Sequence, residues 1–107
     1  MSDAQQRIEE IVTGHKVVVF MKGSRMMPQC GFSARAVQVI GSYTNDFTTV
    51  NVLADPEIRQ GIKDYSKWPT IPQVYVDGKF LGGSDIIWQM HEQNELGGAL
   101  GAEAAAE

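Results

Sequence analysis

A turn signal at Asp77-Gly78 constrains the fold of this chain more than any other local feature. Two short apolar runs flank the dipeptide, Val74 to Val76 before it and Phe80-Leu81 after it. Asp-Gly between two such runs is typical of a tight β-hairpin, because the favoured two-residue turns need residues that tolerate positive φ. The sequence therefore predicts an antiparallel strand pair in the second half of the chain, and any sheet must include that pair.

Periodicity places the other elements around this hairpin. Apolar residues recur at helical spacing in four segments, and two further apolar runs are rich in β-branched residues. The predicted helices span 3–13, 30–41, 55–67 and 84 onward, and the predicted strands outside the hairpin span 16–21 and 47–53. Residues 97–107 show no pattern, so they are predicted to form a disordered tail of the single domain 1–107.

Two of the predicted helices begin with recognisable capping residues. Asp55 precedes Pro56, which suits the first helical position, and Glu57 adds an acid to the first turn. Ser84-Asp85 follows two glycines and can cap the last helix. We therefore expect both helices to begin at these positions.

The element order α-β-α-β-α-β-β-α determines the topology. The first two strands are connected through a helix, so they should run parallel with a right-handed crossover, whereas the hairpin is antiparallel. The prediction is an α/β chain with a mixed four-stranded sheet flanked by helices on both faces. This arrangement resembles the thioredoxin-like fold. It puts the loop before residue 30 at the carboxyl end of a parallel strand, where open α/β sheets bind ligands.

The single cysteine, Cys30, lies where the first strand has ended and the second helix begins. In the first turn of a helix, unpaired N–H groups and the helix dipole favour the thiolate over the thiol. Cysteines in such places have pKa values lowered from ~8.5 to roughly 3.5–7.5. The alternative is a small buried hydrophobic residue. Its neighbours favour reactivity, because Gly31 allows close approach and Ser33 stands where a C-x-x-C motif has its second cysteine.

Composition and charge exclude several classes of partner. The net charge is −4 and basic residues form no cluster, so no nucleic acid partner is expected. No apolar stretch approaches the roughly 20 residues that span a bilayer, so no membrane association is expected. The first six residues lack the features of a signal or transit peptide, and one cysteine cannot form an internal disulfide. A cytoplasmic location is the resulting expectation.

Four motifs, in order and spacing, resemble the monothiol glutaredoxins of the CGFS type. They are Lys22-Gly23 with Pro28 before Cys30-Gly31-Phe32-Ser33, then Arg59, then Trp68-Pro69-Thr70-Ile71-Pro72, and finally Gly82-Gly83-Ser84-Asp85. Each motif alone is weak, but the set is specific and extends over nearly the whole chain. The resemblance implies a glutathione site and a 2Fe-2S cluster that bridges a homodimer. It also implies BolA-type proteins and apo iron-sulfur proteins as partners.

The resemblance assigns roles to the charged and aromatic residues. Lys22 would pair with a ligand carboxylate and lower the pKa of the thiol, and Arg59 would bind the glycine carboxylate of glutathione. The alternative for each is a solvated basic residue, which is how Lys63, one helical turn after Arg59, is interpreted. Phe32 and Trp68 would form walls of the site, with membership of the core as the alternative.

Further roles follow from the resemblance in the second half of the chain. Pro72 resembles the family's cis-proline, and the backbone of Ile71 would pair with the peptide part of glutathione. Gly83 allows close approach of the ligand, and N–H groups from Ser84 onward would hold the γ-glutamyl carboxylate. Asp85 would meet the α-amino group of the ligand. Its alternative is an ordinary acid in the first turn of a helix.

Three functions follow from these assignments. An all-thiolate 2Fe-2S cluster needs four ligands, so Cys30 as the only metal ligand of each chain requires two subunits and two glutathione thiols. This predicts a cluster carrier. Alternatively, Cys30 is the catalytic nucleophile of an oxidoreductase, attacking a glutathione mixed disulfide that a second glutathione resolves. The third function is an adaptor for BolA-type proteins. Ser84 occupies a position where many relatives have a second cysteine, which disfavours a mechanism through an intramolecular disulfide.

Overall fold

The sequence folds into short helices packed on a small sheet, and the computed structural model describes residues 3–101. The helices are α1 (Asp3–Gly14), α2 (Gly31–Gly41), α3 (Pro56–Ser66), α4 (Ser84–Glu92) and α5 (Leu96–Leu100). The strands are β1 (Val17–Met21), β2 (Thr48–Asn51), β3 (Gln73–Val76) and β4 (Lys79–Gly82). None of the helices within residues 3–101 has the length and apolar character needed to cross a membrane.

The sheet is mixed, with the strand order β2-β1-β3-β4. β1 runs parallel to β2 and antiparallel to β3. β3 and β4 form the predicted antiparallel hairpin, in which Asp77 and Gly78 have φ of 52° and 80°. The parallel first pair, the hairpin and the thioredoxin-like fold are therefore confirmed.

Alternate residues of β1 point into two apolar clusters, one on each face of the sheet. Val17, Val19 and Met21 pack with residues of α2, α4 and α5, whereas Val18 and Phe20 pack with residues of α1 and α3. All five residues of the strand are buried. β1 is therefore packed on both faces, and the loop that leads from it to α2 begins at a fully buried strand end.

The capping residue of α4 and the segment from residue 97 differ from the predictions. Ser84 is not the cap of α4 but its first residue, and the N-cap position is occupied by Gly83. The disordered tail predicted from residue 97 is wrong for residues 97–100, which belong to α5. Leu96 and Leu100 are buried in the core, and this burial stabilises α5. Gly97 and Gly98 have low helix propensity, so the sequence does not predict a helix here. Residues 102–107 lie outside the described residues.

Candidate functional site

Cys30 occupies the N-cap position of α2 at the end of a folded loop. Its backbone is extended, with φ of −150° and ψ of 134°. The Gln29 N–H donates a hydrogen bond of 2.9 Å to the Lys22 carbonyl, which closes the loop. Gly23 has φ of 91°, and a β-carbon there would lie 2.6 Å from the Met27 carbonyl oxygen, so the turn requires glycine. The loop thus brings the thiol to the start of the helix in one backbone conformation.

The surroundings of Cys30 lower the pKa of its thiol. The backbone N–H of Ser33 is the largest cause, and the Phe32 N–H, the Ser33 hydroxyl and the charge of Lys22 act in the same direction, against partial desolvation. The thiol makes no capping hydrogen bond of regular geometry, so the effect comes from several nearby donors together. Ser33 is fully buried and its hydroxyl accepts a 3.1 Å hydrogen bond from the Lys22 N–H. Cys30 is half-buried, so it is not the enclosed hydrophobic residue of the alternative interpretation.

A pocket of about 220 Å³ lies between the start of α2, the segment before β3 and the start of α4. Its lining residues are Phe32, Trp68, Thr70, Ile71, Pro72, Gly83, Ser84, Asp85 and Ile86. The pocket therefore brings together Phe32, Ile71, Gly83, Ser84 and Asp85 from the predicted site. Two helices contribute their first turns to it, so backbone N–H groups without helical partners lie beside the pocket.

The wall before β3 is held by a buried polar side chain. The Gln73 amide donates hydrogen bonds of 3.0 Å to the Trp68 carbonyl and 3.1 Å to the Thr70 carbonyl, and Gln73 is fully buried. The Ile71-Pro72 bond is cis, as the resemblance predicts. Gln73 was not predicted as a site residue. A glutamine that opens an otherwise apolar strand directly after a proline was the signal available in the sequence.

Three predicted site residues do not line the pocket. Cys30 lies two residues before Phe32 on the same helix, while Lys22 and Arg59 are half-buried outside the lining. Within residues 3–101 the one ion pair joins Arg7 and Asp55, at 2.7 Å. Lys22 and Arg59 are therefore not neutralised by a carboxylate of the described chain, which leaves two cationic groups available to an anionic ligand.

Apolar side chains are exposed around the thiol and the pocket. Ile86 is 38% exposed and lines the pocket, whereas its neighbour Ile87 is buried. We call the exposed apolar residues of the loop and the pocket edge the exposed rim: Met26, Met27, Phe32, Trp68 and Ile86. Met26, on the loop before Cys30, is the most exposed of them at 88%. Such a concentration of exposed apolar side chains is typical of a contact surface.

Comparisons with known proteins agree with this geometry. The glutaredoxin family profile matches residues 17–81. An uncharacterized monothiol glutaredoxin, ycf64-like, from Synechocystis sp. is 56% identical over 94 residues, which cover 88% of both chains. Monothiol glutaredoxin-5, mitochondrial, of Schizosaccharomyces pombe is 44% identical over 98 residues, covering 89% of this chain and 67% of the relative.

A solved structure extends the similarity from sequence to fold. The solution structure of reduced poplar apo GrxS14 superposes with a TM-score of 0.80 at 44% identity, covering 96% of this chain and 94% of that one. The family profile includes the strand before Cys30, the thiol and the wall before β3. The chain therefore belongs to the glutaredoxin family and groups with its monothiol members.

Proposed function

We propose that this protein binds glutathione in the pocket and, as a homodimer, carries a 2Fe-2S cluster that it transfers to apo iron-sulfur proteins. The observation that carries the proposal is a single thiol of lowered pKa at the start of α2, two residues before Phe32 of the pocket wall. A thiolate is the form of cysteine that binds metal. The same chemistry suits a reducing compartment, so we propose the cytoplasm as its location.

The pocket matches the chemistry of glutathione, a tripeptide with two carboxylates, one amino group and a thiol. At the start of α4, the N–H groups of Ser84 and Asp85 lie before the first helical hydrogen bond, which the Ile87 N–H donates to the Gly83 carbonyl. Such N–H groups bind carboxylates. The Asp85 carboxylate on the pocket wall would pair with the amino group of the ligand, and the Ile71 backbone would pair with its peptide.

The cations outside the pocket wall suit the second carboxylate of glutathione. Lys22 and Arg59 have no carboxylate partner within residues 3–101, so they would bind the glycine end of the ligand. The glutathione thiol would then lie beside Cys30, whose thiolate Lys22 already favours. This placement supplies a second sulfur at the same end of α2.

The number of possible metal ligands in the chain supports a cluster held jointly by two copies. No three His, Cys, Asp or Glu residues of the described chain converge to hold a metal ion. The chain has one cysteine, so a cluster with four thiolate ligands would be held by Cys30 from two copies and by two glutathione thiols. The exposed rim around Cys30 is the surface on which a second copy would pack, and a BolA-type protein would compete for the same face.

The lowered pKa of Cys30 also favours a second candidate function. As an oxidoreductase, the Cys30 thiolate would attack the glutathione sulfur of a mixed disulfide, and the substrate thiol would leave with a proton. A second glutathione thiolate would then attack the bound glutathione sulfur, releasing glutathione disulfide and restoring Cys30. The balance needs one further glutathione and no resolving cysteine in the protein.

The deciding experiment is anaerobic purification, followed by absorbance spectroscopy and iron and sulfide analysis of the wild type and Cys30→Ser. We expect one cluster per two chains in the wild type and none in the variant, because a hydroxyl is a poor substitute for a thiolate. Cluster retained by Cys30→Ser would refute the assignment. Colourless wild type with fast turnover of glutathione mixed disulfides would favour the oxidoreductase.

A second set of variants tests the glutathione site. Lys22→Ala and Arg59→Ala should each weaken glutathione binding about tenfold or more, since hydrogen bonds to charged groups contribute ~1.5–3 kcal/mol. Lys63→Ala is the matched control, because Lys63 is half-buried on the same helix as Arg59. Equal glutathione affinity in all three variants would mean that Lys22 and Arg59 are solvated basic residues with no role in binding the ligand.

A further inference from the structure

Two contacts connect α2 and the residues just after it to α4; the first turns of these two helices line the pocket. The guanidinium carbon of Arg35 lies 3.7 Å from the centroid of the Trp88 ring. Near the other ends of the helices, the Tyr43 hydroxyl and His91 Nδ1 are hydrogen-bonded at 2.8 Å. The Trp88 and His91 ring centroids are 5.3 Å apart with the rings tilted by 48°, so the two contacts are neighbours along α4.

The position of the first contact relates it to the site. Arg35 follows Cys30 by five residues on α2, and Trp88 follows Ser84 by four residues on α4. The cation over the ring therefore lies little more than one helical turn from each helix start. Arg35 forms no ion pair within the described part of the chain, and its guanidinium lies over the ring of Trp88. A planar guanidinium on an indole ring restrains both the distance and the tilt of the two helices.

We propose that Arg35 is a positioning residue: through Trp88 it sets the place of the α4 N-terminus relative to Cys30. The inference rests on the proposed function in so far as glutathione is the ligand that needs both helix starts at once. Cys30 and Phe32 come from α2, whereas Ser84 and Asp85 come from α4. A shift of α4 would separate these two halves of the site without altering either.

A shift of α4 should affect glutathione binding and thiol reactivity differently, whereas general destabilisation should affect both. The groups that lower the pKa of Cys30 are Ser33, Phe32 and Lys22, on α2 or just after β1. None of them lies on α4, so the reactivity of the thiol should not depend on where α4 sits. Glutathione binding requires both helices and should respond. Loss of Arg35 should therefore weaken binding while leaving the alkylation rate of Cys30 unchanged.

The chain offers a matched control at Arg25. Its guanidinium carbon lies 3.8 Å from the centroid of the Phe47 ring, an equivalent contact that does not connect α2 with α4. Arg25→Ala removes the same charge and the same kind of contact, together with two hydrogen bonds that Arg25 donates to Asn45. Arg35→Lys is the conservative variant, because an ammonium can also occupy the face of an indole ring.

The experiment measures three quantities in Arg35→Ala, Arg35→Lys and Arg25→Ala: the dissociation constant of glutathione, the rate of Cys30 alkylation by iodoacetamide, and the backbone amide chemical shifts without ligand. We expect glutathione to bind about two- to fivefold more weakly to Arg35→Ala, the range that an exposed cation–π contact supports. The amide signals of Ser84, Asp85 and Ile86 should shift in that variant alone, with alkylation unchanged. Arg35→Lys should lie closer to the wild type.

Equal losses of glutathione affinity in Arg35→Ala and Arg25→Ala would overturn the proposal. So would a decrease in the Cys30 alkylation rate of Arg35→Ala that is as large as its loss of affinity. If the wild type binds no glutathione, the proposed function fails, and the amide shifts of α4 in the ligand-free protein decide the positioning role by themselves. Shifts at Ser84 to Ile86 in Arg35→Ala only would then support it, and unmoved signals would refute it.

Discussion

At the scale of single residues, the chemistry of the site depends on close neighbours in sequence. Cys30 is influenced most by Ser33 and Phe32, which follow it within one helical turn. This is why the lowered pKa could be predicted from a strand-to-helix junction alone. Gln73 and the Arg35 contact with Trp88 could not, because they depend on which residues the fold brings together.

The pH dependence of Cys30 alkylation is the first prediction. Its midpoint should lie below the ~8.5 of an ordinary thiol, and Ser33→Ala should raise it by removing the hydroxyl. The same protein in urea is the control and should titrate as an ordinary thiol. Because the folded pKa is lowered, the thiolate stabilises the fold above the unfolded pKa, and this contribution is lost as pH falls through the folded pKa. A folded midpoint equal to the midpoint in urea would contradict the assignment.

The second prediction concerns the close approach at Gly83. A β-carbon there would lie 3.2 Å from Trp68 Nε1 and 3.4 Å from the Pro72 carbonyl oxygen, inside the pocket wall. Gly83→Ala should weaken glutathione binding several-fold with little loss of stability, because φ of −94° suits any residue. Gly41→Ala is the control, since Gly41 ends α2 outside the pocket lining and a β-carbon at that position meets nothing within 4 Å. Calorimetric titration of both variants checks this, and equal affinities would disprove it.

At the scale of elements, local signals worked where the element carries its own capping or turn residues. Asp55 caps α3 as predicted, accepting a 3.2 Å hydrogen bond from the Ile58 N–H. The hairpin turn at Asp77-Gly78 was also predicted correctly, and both residues have positive φ. α5 was missed because its middle is glycine, and its helix exists through burial of Leu96 and Leu100 rather than through propensity.

That origin of α5 gives the third prediction. Leu96 is fully buried in the cluster with Val39 and Ile87, so Leu96→Ala should lower the free energy of unfolding by about 2–5 kcal/mol. Leu53, which is 43% exposed, is the control, and Leu53→Ala should change stability by a small fraction of that. Urea unfolding of the two variants checks the difference. Equal midpoints would mean that α5 contributes no stability.

At the scale of the whole molecule, the sheet topology places the site. β1 is central, parallel to β2 and covered on both faces, and the loop at its carboxyl end leads to Cys30. This could be predicted from the order of elements, because parallel pairs and hairpins leave few arrangements. The exposed rim could not, since an apolar residue such as Ile86 has the same sequence pattern whether it faces the core or the pocket.

The fourth prediction concerns assembly. If a cluster bridges two copies, the protein should be dimeric with cluster and monomeric without it, since ligand binding of this kind links assembly to the cargo. Reconstitution should require glutathione as well as iron and sulfide, because two Cys30 thiolates leave half of the ligand positions empty. Light scattering with and without cluster checks both parts. A colourless dimer of unchanged size, or full assembly without added thiol, would show that the ligand count is wrong.

The two outer strands restrict how copies of this protein can meet. β2 and β4 have four residues each, with polar Thr48, Thr49 and Asn51 on one and Lys79 opening the other. Short edges with polar and charged side chains are poor templates for adding a strand from another chain. Continuous sheets across molecules are therefore disfavoured, so this protein is not expected to grow into a fibre through its strand edges.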